Sequence, residues 1–423
     1  MSYLGRRGAL APVNSADIPD NSITSAKIVD GAVAVADLGP NSVDSSELVD
    51  GSIDTSHIGD DQVTGAKIEN NPTIAGNLTV SGDLVPATPL SHRNHLINGD
   101  FQVAQRATSF TNGGVGGVTT NNDDEYTLDR WYILSDTDDV IDVTQSSTAP
   151  TNQKYSIALD VEKANKKFGI AQIIENKNCV GLIGNNVTFS FQAKVSATTK
   201  LDNVKAGIIA WSSTADAVTS DVVSAWGIEG TNPTLASNLT FENTPANLSV
   251  TTSWATYSVS ANIDTGSTTN VIVFIWSDVT DTTAGDFLYI TDCQLERGSN
   301  VTPFERRNYV DELEMCQRYS FMWHAGSYFM GTANGTTQWA GSMRVRNMHH
   351  APAFYTHSGG SWAWRAYQPA AGSFVTSTAT PSSTTLYREG FVYFTVASFG
   401  TVSNDSMLML RFFTSDILMV AEL

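Results

Sequence analysis

Three cysteines in 423 residues, Cys179, Cys293 and Cys316, stand far apart and form no Cys-x-x-Cys pair, so neither a disulfide framework nor a cysteine zinc site is implied. Charge is sparse at 16%, and the basic share is sparser still: 24 Lys+Arg against 43 Asp+Glu leave a net charge of −19. Phosphate binding needs concentrated lysine and arginine, which removes nucleic acid as an expected partner and disfavours an anionic membrane surface. No stretch reaches the roughly 20 apolar residues of a membrane span, so no membrane insertion is expected. The opening Met1-Ser-Tyr-Leu-Gly-Arg-Arg-Gly-Ala-Leu lacks the apolar core of a secretory signal. Nucleophile elbow, phosphate loop and His-Glu-x-x-His are all missing. Long amphipathic patterns are nearly absent, whereas threonine, serine, asparagine and glycine abound, which is the composition of a β protein with many turns. The length suggests two or three domains.

What is present, first of all, is a period of ten. Val13, Ile18, Ile23, Ile28, Val33, Leu38, Val43, Leu48, Ile53, Ile58, Val63 and Ile68 keep one register, the third and eighth places of blocks such as Asp30-Gly-Ala-Val-Ala-Val-Ala-Asp-Leu-Gly. A fixed period marks a repetitive architecture. Five-and-five spacing fits neither the 3.6-residue helix nor strict strand alternation, and Asp-Gly or Pro-Asn at the junctions places a turn in each. Each block reads as a short extended piece around the third position, then a turn or single helical turn presenting the eighth. Two large apolar residues in ten cannot offset roughly 1 to 2 kcal/mol of ordering entropy per residue in a lone chain. The missing surface is expected from other copies, which makes residues 13–72 an oligomeric stalk with Ile23, Ile28, Val33, Leu38, Val43, Leu48, Ile53, Ile58, Val63 and Ile68 as its core. The alternative, an acidic Ser-rich disordered linker, has no reason to hold apolar residues in register.

Residues 73–90 are a connector of short apolar pieces (Ile74, Leu78, Val80, Leu84, Val85) closed by Pro86 and Pro89. From 91 to 306 the rhythm is that of a β-sandwich. Strands are expected at Val140–Thr144, Tyr155–Val161, Phe168–Ile174, Asn186–Val195, Val204–Ser212, Ala255–Ser260, Asn270–Trp276 and Asp286–Leu295. Some alternate, as in Val187-Thr-Phe-Ser-Phe-Gln-Ala-Lys-Val, with one apolar and one polar face. Seven or more such strands imply two packed antiparallel sheets, and a jelly roll is the expected fold.

Particular residues carry a resemblance. Leu96-Ile-Asn-Gly-Asp-Phe-Gln-Val-Ala-Gln-Arg, Tyr126-Thr-Leu-Asp-Arg-Trp, and Phe287-Leu-Tyr-Ile-Thr-Asp-Cys-Gln-Leu-Glu-Arg-Gly-Ser-Asn-Val-Thr-Pro-Phe-Glu-Arg-Arg followed by Glu312-Leu-Glu-Met-Cys-Gln-Arg-Tyr resemble the receptor-binding region of bacteriophage tail fibres. They bracket roughly 91–320. The connector run Gly-Asn-Leu-Thr-Val-Ser-Gly is likewise similar to tail-fibre segments. The resemblance implies a jelly roll like those of carbohydrate-binding modules. It also implies that a corner between Asp100 and Asp292, brought together by adjacent first and last strands, holds a structural Ca²⁺ through carboxylate and backbone oxygens. Gln102 stands where an acidic residue is common, which removes one charged ligand; Asp100 could equally complete an Asn-Gly-Asp turn. Asp129-Arg130-Trp131 reads as an ion pair beside a buried indole.

Sugar binding needs aromatic rings against the pyranose face and polar groups for its hydroxyls. Trp211, Trp226, Trp254 and Trp276 are the candidates in the sandwich. Trp211 and Trp276 end apolar strands and read as core, whereas Trp226, in loop-like Ser224-Ala-Trp-Gly-Ile-Glu, is the ligand candidate. Residues 307–423 open with a short helix at Tyr309-Val-Asp-Glu-Leu-Glu-Met-Cys-Gln-Arg-Tyr, in which Val310, Leu313, Cys316 and Gln317 share related faces. Strands are expected at Met343–Asn347, Thr385–Ala397 and Met407–Thr414, with a hairpin around Trp362-Ala-Trp-Arg-Ala-Tyr. Aromatics concentrate in this distal β domain: Trp323, Trp339, Trp362, Trp364 and Tyr367 either grip a surface polysaccharide or fill an oligomer core. His349-His350 could point at a metal, but neighbouring side chains on a strand diverge, which favours a chance pair. Acidic runs Asp123-Asp124-Glu125 and Asp138-Asp139 read as solvated turns.

The expectation is therefore a mainly β, elongated homotrimeric fibre: anchor 1–12, stalk 13–72, connector 73–90, jelly roll 91–306 and distal tip 307–423. Its role would be non-catalytic attachment of a virion to host surface polysaccharide or lipopolysaccharide. Arg6 and Arg7 suggest that 1–12 dock into other tail or baseplate proteins. The protein would be made in the host cytoplasm. The rivals are a polysaccharide depolymerase tailspike and a structural tail or head decoration.

Overall fold

The computed structural model describes residues 14, 16, 18–39, 58, 91–112, 120–264, 266–345, 348–357, 362–368, 372–387, 391–401, 407–412 and 416–423. Two units separate, Met1–Leu84 and Val85–Leu423. The anchor 1–12, the connector 73–90, and Val43, Leu48, Ile53, Val63 and Ile68 of the repeat lie outside the described residues.

In the first unit the backbone itself repeats every ten residues. Ser22 N donates to Pro19 O and Ala32 N to Val29 O, closing turns in which Asn21 and Gly31 have φ of 57° and 75°. Only residues that tolerate the left-handed region suit that place, and asparagine or glycine fills it in both blocks. A single 3₁₀ turn follows in each, Ser25–Lys27 and Val35–Asp37. Asp37 reinforces the second by accepting from Ala34 N at 2.8 Å. Ile18, Ile23, Ile28, Val33, Leu38 and Ile58 are all exposed.

In the second unit all eight expected sandwich strands are present, joined by short edge strands. One sheet has six strands in the order Ser109–Phe110, Ile141–Ser146, Ser156–Val161, Phe287–Arg297, Asn186–Val195, Ala255–Asn262. The other has five: Leu239–Phe241, Val204–Trp211, Asn270–Ser277, Phe168–Ile174, Tyr132–Ser135. Every strand pair in both is antiparallel. Between them lies a core that includes Phe101, Trp131, Phe168, Phe189, Phe191, Leu288 and Leu295. The segment opening the sandwich does run beside its last strand: Cys293 N donates to Gly99 O at 2.9 Å and His95 N to Leu295 O at 2.9 Å. A Cβ at residue 99 would collide with the Cys293 carbonyl, so that approach requires glycine.

Burial differs between the sheets. Phe168–Ile174 and Asn270–Ser277 are buried at every position. A long excursion over 212–241 covers the outer face of the five-stranded sheet, where Val218, Val222 and Trp226 pack on Ile209, Ile272, Phe274 and Trp276. The six-stranded sheet alternates instead; along Ala255–Asn262 half-buried and exposed residues take turns. Its outer face is open in part, at Asp160, Gln192, Lys194, Phe287 and Tyr289, while Thr188, Ser190 and Thr291 on the same sheet are covered.

The C-terminal segment forms a seven-stranded sheet, Ser373–Ser377, Trp364–Gln368, Met407–Phe412, Tyr328–Ala333, Trp339–Arg344, Phe391–Val396, Ser382–Tyr387, and a three-stranded one, Ser320–Trp323, Ile417–Val420, Ala353–Thr356. Thr385–Ala397 is two antiparallel strands rather than one, and the strand expected at Met343–Asn347 lies earlier, at Trp339–Arg344. The helix is Tyr309–Gln317, capped by Asn308, whose side chain accepts from Val310 N. Its buried residues are Glu312 and Cys316, while Val310 is exposed. A carboxylate faces inward because Asn98 N and Arg307 donate to it. This lobe is clasped to the sandwich through its last residues. Glu422 pairs with both Arg106 and Arg130, Tyr126 OH donates to Leu423 O at 3.0 Å, and Gln105 donates to Ser320 O at 2.8 Å.

Candidate glycan-binding face

Pairing register places the open face of the six-stranded sheet residue by residue. Phe287 lies opposite Asp160, Tyr289 opposite Lys194, Thr291 opposite Gln192, and Gln192 opposite Thr256. Side chains of alternate residues share a face, so these project together away from the core. Phe287 and Tyr289 stack, ring centroids 5.5 Å apart at 12°, and Trp254 meets Tyr289 edge-on at 6.3 Å. Lys194 Nζ lies 5.0 Å from the Tyr289 ring and 5.6 Å from that of Trp254. All four side chains are half-buried, so their rings are held yet reachable. A cluster of three reachable rings bordered by an ammonium and an amide offers both the apolar contact and the hydrogen bonding that a sugar needs.

The platform grades into a depression of about 450 Å³ lined by Ser190, Gln192, Thr256, Asp292, Thr302 and Phe304, among others. A bulge between Thr291 and Gln294 makes this possible. The one extra residue lets Cys293 enter the core and turns Asp292, at φ 54° and largely buried, toward the outer side of the sheet. Asp292 accepts from the Gln192 amide at 2.6 Å and from the Gln153 amide, and Asp100 accepts from the Gln102 amide. Burial raises both carboxyls, against the lowering effect of these amides and of Arg306. The charge of Asp292 adds to the rise at Asp100, and nitrogen donors meet both carboxyls. A calcium ion, which takes six to eight oxygens, fits only if the three amides turn their oxygens inward.

No family model matches the chain, and no curated protein does. Among solved structures it is similar to the enzymatically active domain of bacteriophage CBA120 tailspike protein 4, at 12% identity and TM-score 0.29, over 48% of this chain and 21% of that one. It is also similar to the CBM22-1 xylan-binding domain from Paenibacillus barcinonensis Xyn10C (11%, TM-score 0.25, 43% and 94%). A family 16 carbohydrate binding module gives 12%, 0.24, 36% and 84%. This chain spans about a fifth of the tailspike's length. With scores this low, the functional reading rests on the face itself.

The aromatics singled out from sequence lie elsewhere. Trp226 is buried, edge-on to Phe274 at 5.9 Å, because its loop is folded down on the five-stranded sheet. Trp339 and Trp364 have no exposed surface and pack on Phe394 and Phe412. Trp323 and Trp362 are half-buried against the same core, Trp362 stacked on Trp364 at 5.7 Å and 5°. Tyr367 alone of this set faces outward on the seven-stranded sheet, beside Phe374. These indoles fill the lobe, and of the sandwich tryptophans Trp254 is the one on an open aromatic surface. Phe287 and Tyr289 belong to the run Phe287-Leu-Tyr-Ile-Thr-Asp-Cys-Gln-Leu-Glu. Their meaning as a surface needed the register.

Asp142 and Asp160, cross-strand neighbours at the edge of this face, are carboxyls with raised affinity for protons. Burial and the charges of Glu162, Asp139 and Asp160 push Asp142 up to about 6, and Asp160 is also raised by burial and Glu162. The acidic turns are less solvated than expected. Asp124 is half-buried with Oδ1 unpartnered, and burial together with Asp123, Asp221 and Asp138 pushes it up to about 7 from an ordinary 3.8. A folded-state value above the unfolded one means that stability from this group falls as pH rises from about 4 to 7, and the penalty persists above 7. Asp124→Asn, which also tolerates φ 62°, should therefore raise the melting temperature at pH 8 by about 2 °C or more and change little at pH 4. Equal shifts at both pH values would refute the assignment.

Proposed function

We propose that this chain is a homotrimeric bacteriophage tail fibre that attaches the virion to a host surface polysaccharide or lipopolysaccharide, non-catalytically, through the outer face of the six-stranded sheet. The observation that carries the reading is that face: Trp254, Phe287 and Tyr289 around Lys194, running into a polar depression, on a sandwich whose opposite face is closed. Trimerisation is supported by the periodic exposed Ile and Leu of the repeat. A second apolar surface supports it too, the outer side of the seven-stranded sheet, where Tyr328, Met330, Phe374 and Met407 are exposed. Residues 1–12 would join other tail or baseplate proteins. Weak single sites suffice, because several tips multiply affinity through effective concentration.

The test is competition: purified full-length chain should block phage adsorption, and Trp254→Ala or Tyr289→Ala should each weaken glycan binding about tenfold. No competition at saturating protein would sink receptor binding. Light scattering should give three chains per particle, and a monomer would sink the fibre. Structural calcium at Asp100 and Asp292 belongs to the proposal on the condition that EGTA lowers the melting temperature and added Ca²⁺ restores it. A depolymerase is the second reading, favoured by the cross-strand Asp142 and Asp160 carboxyl pair beside Phe287, since glycoside hydrolysis uses two carboxyl groups. New reducing ends that disappear in Asp142→Asn would move the assignment there.

A further inference from the structure

We propose that Glu175, Asp216 and His349 form a binding site for one divalent transition-metal ion of the Zn²⁺ class, joining the sandwich to the C-terminal lobe. Glu175 follows strand Phe168–Ile174 directly, and Asp216 lies on the excursion after Val204–Trp211. His349 comes from the lobe, its backbone N–H held by Arg318 O at 2.8 Å. His349 Nε2 is 3.7 Å from Asp216 Oδ2 and 3.9 Å from Glu175 Oε1, and the three ligand atoms all lie within 4.8 Å of one another. Those gaps are too long for hydrogen bonds. They are close to the separation of about 3.4 Å between two ligands of a tetrahedral zinc with bonds of 2.0 to 2.2 Å.

The imidazole is the second observation. Its side chain is only 10% exposed, Nδ1 finds no hydrogen-bond partner, and Nε2 points at the two carboxylates. Buried polar groups are normally satisfied, so a buried ring that satisfies neither nitrogen directly leaves room for a ligand. A neutral imidazole has a lone pair on Nε2 to give to a metal ion. Burial would raise the Glu175 carboxyl, but hydrogen bonds from Arg318, Lys177 and Tyr319 outweigh it and hold it at about 2.

Both carboxylates are already oriented from behind. Asp216 Oδ1 accepts from Asn176 N and Asn270 Nδ2, each at 2.7 Å, which turns Oδ2 toward His349. Glu175 Oε2 accepts from Arg318 Nε at 2.8 Å and Tyr319 OH at 2.9 Å. Such outer partners commonly fix metal ligands. Oε1 accepts from Arg318 Nη2 at 2.6 Å and pairs with Lys177 Nζ at 2.9 Å. Lys177 is the ion's competitor, and with its side chain 62% exposed it can withdraw to water. One imidazole nitrogen with two carboxylate oxygens suits zinc better than the all-oxygen preference of Ca²⁺ or Mg²⁺.

Metal-free full-length chain titrated calorimetrically with Zn²⁺ should bind one ion per chain and melt at a higher temperature when loaded. His349→Gln and Asp216→Asn should each weaken binding about tenfold or more, whereas His324→Gln, at an exposed surface histidine, should not. Lys177→Met should tighten it severalfold by removing the competing cation. Absence of saturable binding overturns the proposal, as does an affinity that His349→Gln and Asp216→Asn leave unchanged, which would mean adventitious surface binding. Should those two variants fail to fold, Lys177→Met decides alone: unchanged or weaker binding overturns it.

Discussion

Replacing Glu422 with alanine should destabilise the Val85–Leu423 unit by about 3 to 5 kcal/mol, the cost of leaving a buried charge without its partner. Here one carboxylate serves two guanidinium groups. Arg106 Nη2 sits 3.0 Å from Glu422 Oε1 and Arg130 Nη1 bonds Oε2, with both arginine side chains 1% exposed and that of Glu422 5%. Burial disfavours the charged form of Arg130, and Glu422 outweighs that effect and keeps it charged. The remaining contacts of Arg130, Nη2 to Ile173 O at 2.5 Å and the Tyr319 ring 3.6 Å away, are neutral and cannot replace the carboxylate. Asp129, whose pKa burial raises against the lowering charge of Arg106, takes its hydrogen bonds from Gln105 N and Nε2, each at 2.6 Å. Urea denaturation should show the midpoint falling by about 1 M or more. A triple variant with Arg106→Met, Arg130→Met and Glu422→Leu should recover much of the loss, because a packed apolar cluster avoids the desolvation of three ions. A loss under about 1 kcal/mol for Glu422→Ala would mean that solvent reaches the arginines.

The neighbouring pair illustrates what a linear sequence can and cannot reveal. Asp129-Arg130-Trp131 was legible as an ion pair beside a buried indole, and Trp131 is indeed buried, yet the partner of Arg130 is 292 residues away at Glu422. The sandwich was readable because strand periodicity is local: all eight anticipated strands formed. The site was less so. Continuous apolar runs such as Ile272-Val-Phe-Ile-Trp signal strands covered on both faces, and alternating ones such as Val187-Thr-Phe-Ser-Phe-Gln-Ala-Lys-Val signal one polar face, of which Gln192 and Lys194 are reachable while Thr188 and Ser190 are covered. That contrast points to the six-stranded sheet. Which tryptophan stands over which face is set by strand order and by the 212–241 excursion, both long-range. Trp226 looked like a loop residue and is one, but its loop is a cover. His349 looked like half of a chance pair because Glu175 and Asp216 are far away in sequence. In the helix, Glu312 broke the apolar pattern by taking a buried position that backbone Asn98 and Arg307 make habitable.

Asp278→Asn is the second large effect, again about 3 to 5 kcal/mol, and it separates the closed face from the open one. Asp278 is fully buried and bonds two lysines, Lys167 Nζ at 2.5 Å and Lys205 Nζ at 2.7 Å, with side chains 1% and 6% exposed. Its Oδ2 also accepts from Gly230 N at 3.0 Å, while Lys167 donates onward to Ile228 O at 2.9 Å and Trp226 O at 3.4 Å. One carboxylate therefore pins both lysines and, through them, the cover that holds Trp226 on Phe274. The amide of the variant keeps the shape but leaves two ammonium groups without a counter-charge. Amide hydrogen exchange should lose protection first over 222–236, and Trp226 emission should shift toward that of a solvated indole, before the sandwich melts. If glycan binds the six-stranded sheet, as proposed, the variant below its melting temperature should match the wild type in glycan binding, because Trp254, Phe287 and Tyr289 lie on the opposite sheet. Loss of glycan binding with the sandwich intact would transfer the binding site to the covered face and overturn the assignment made to the six-stranded sheet.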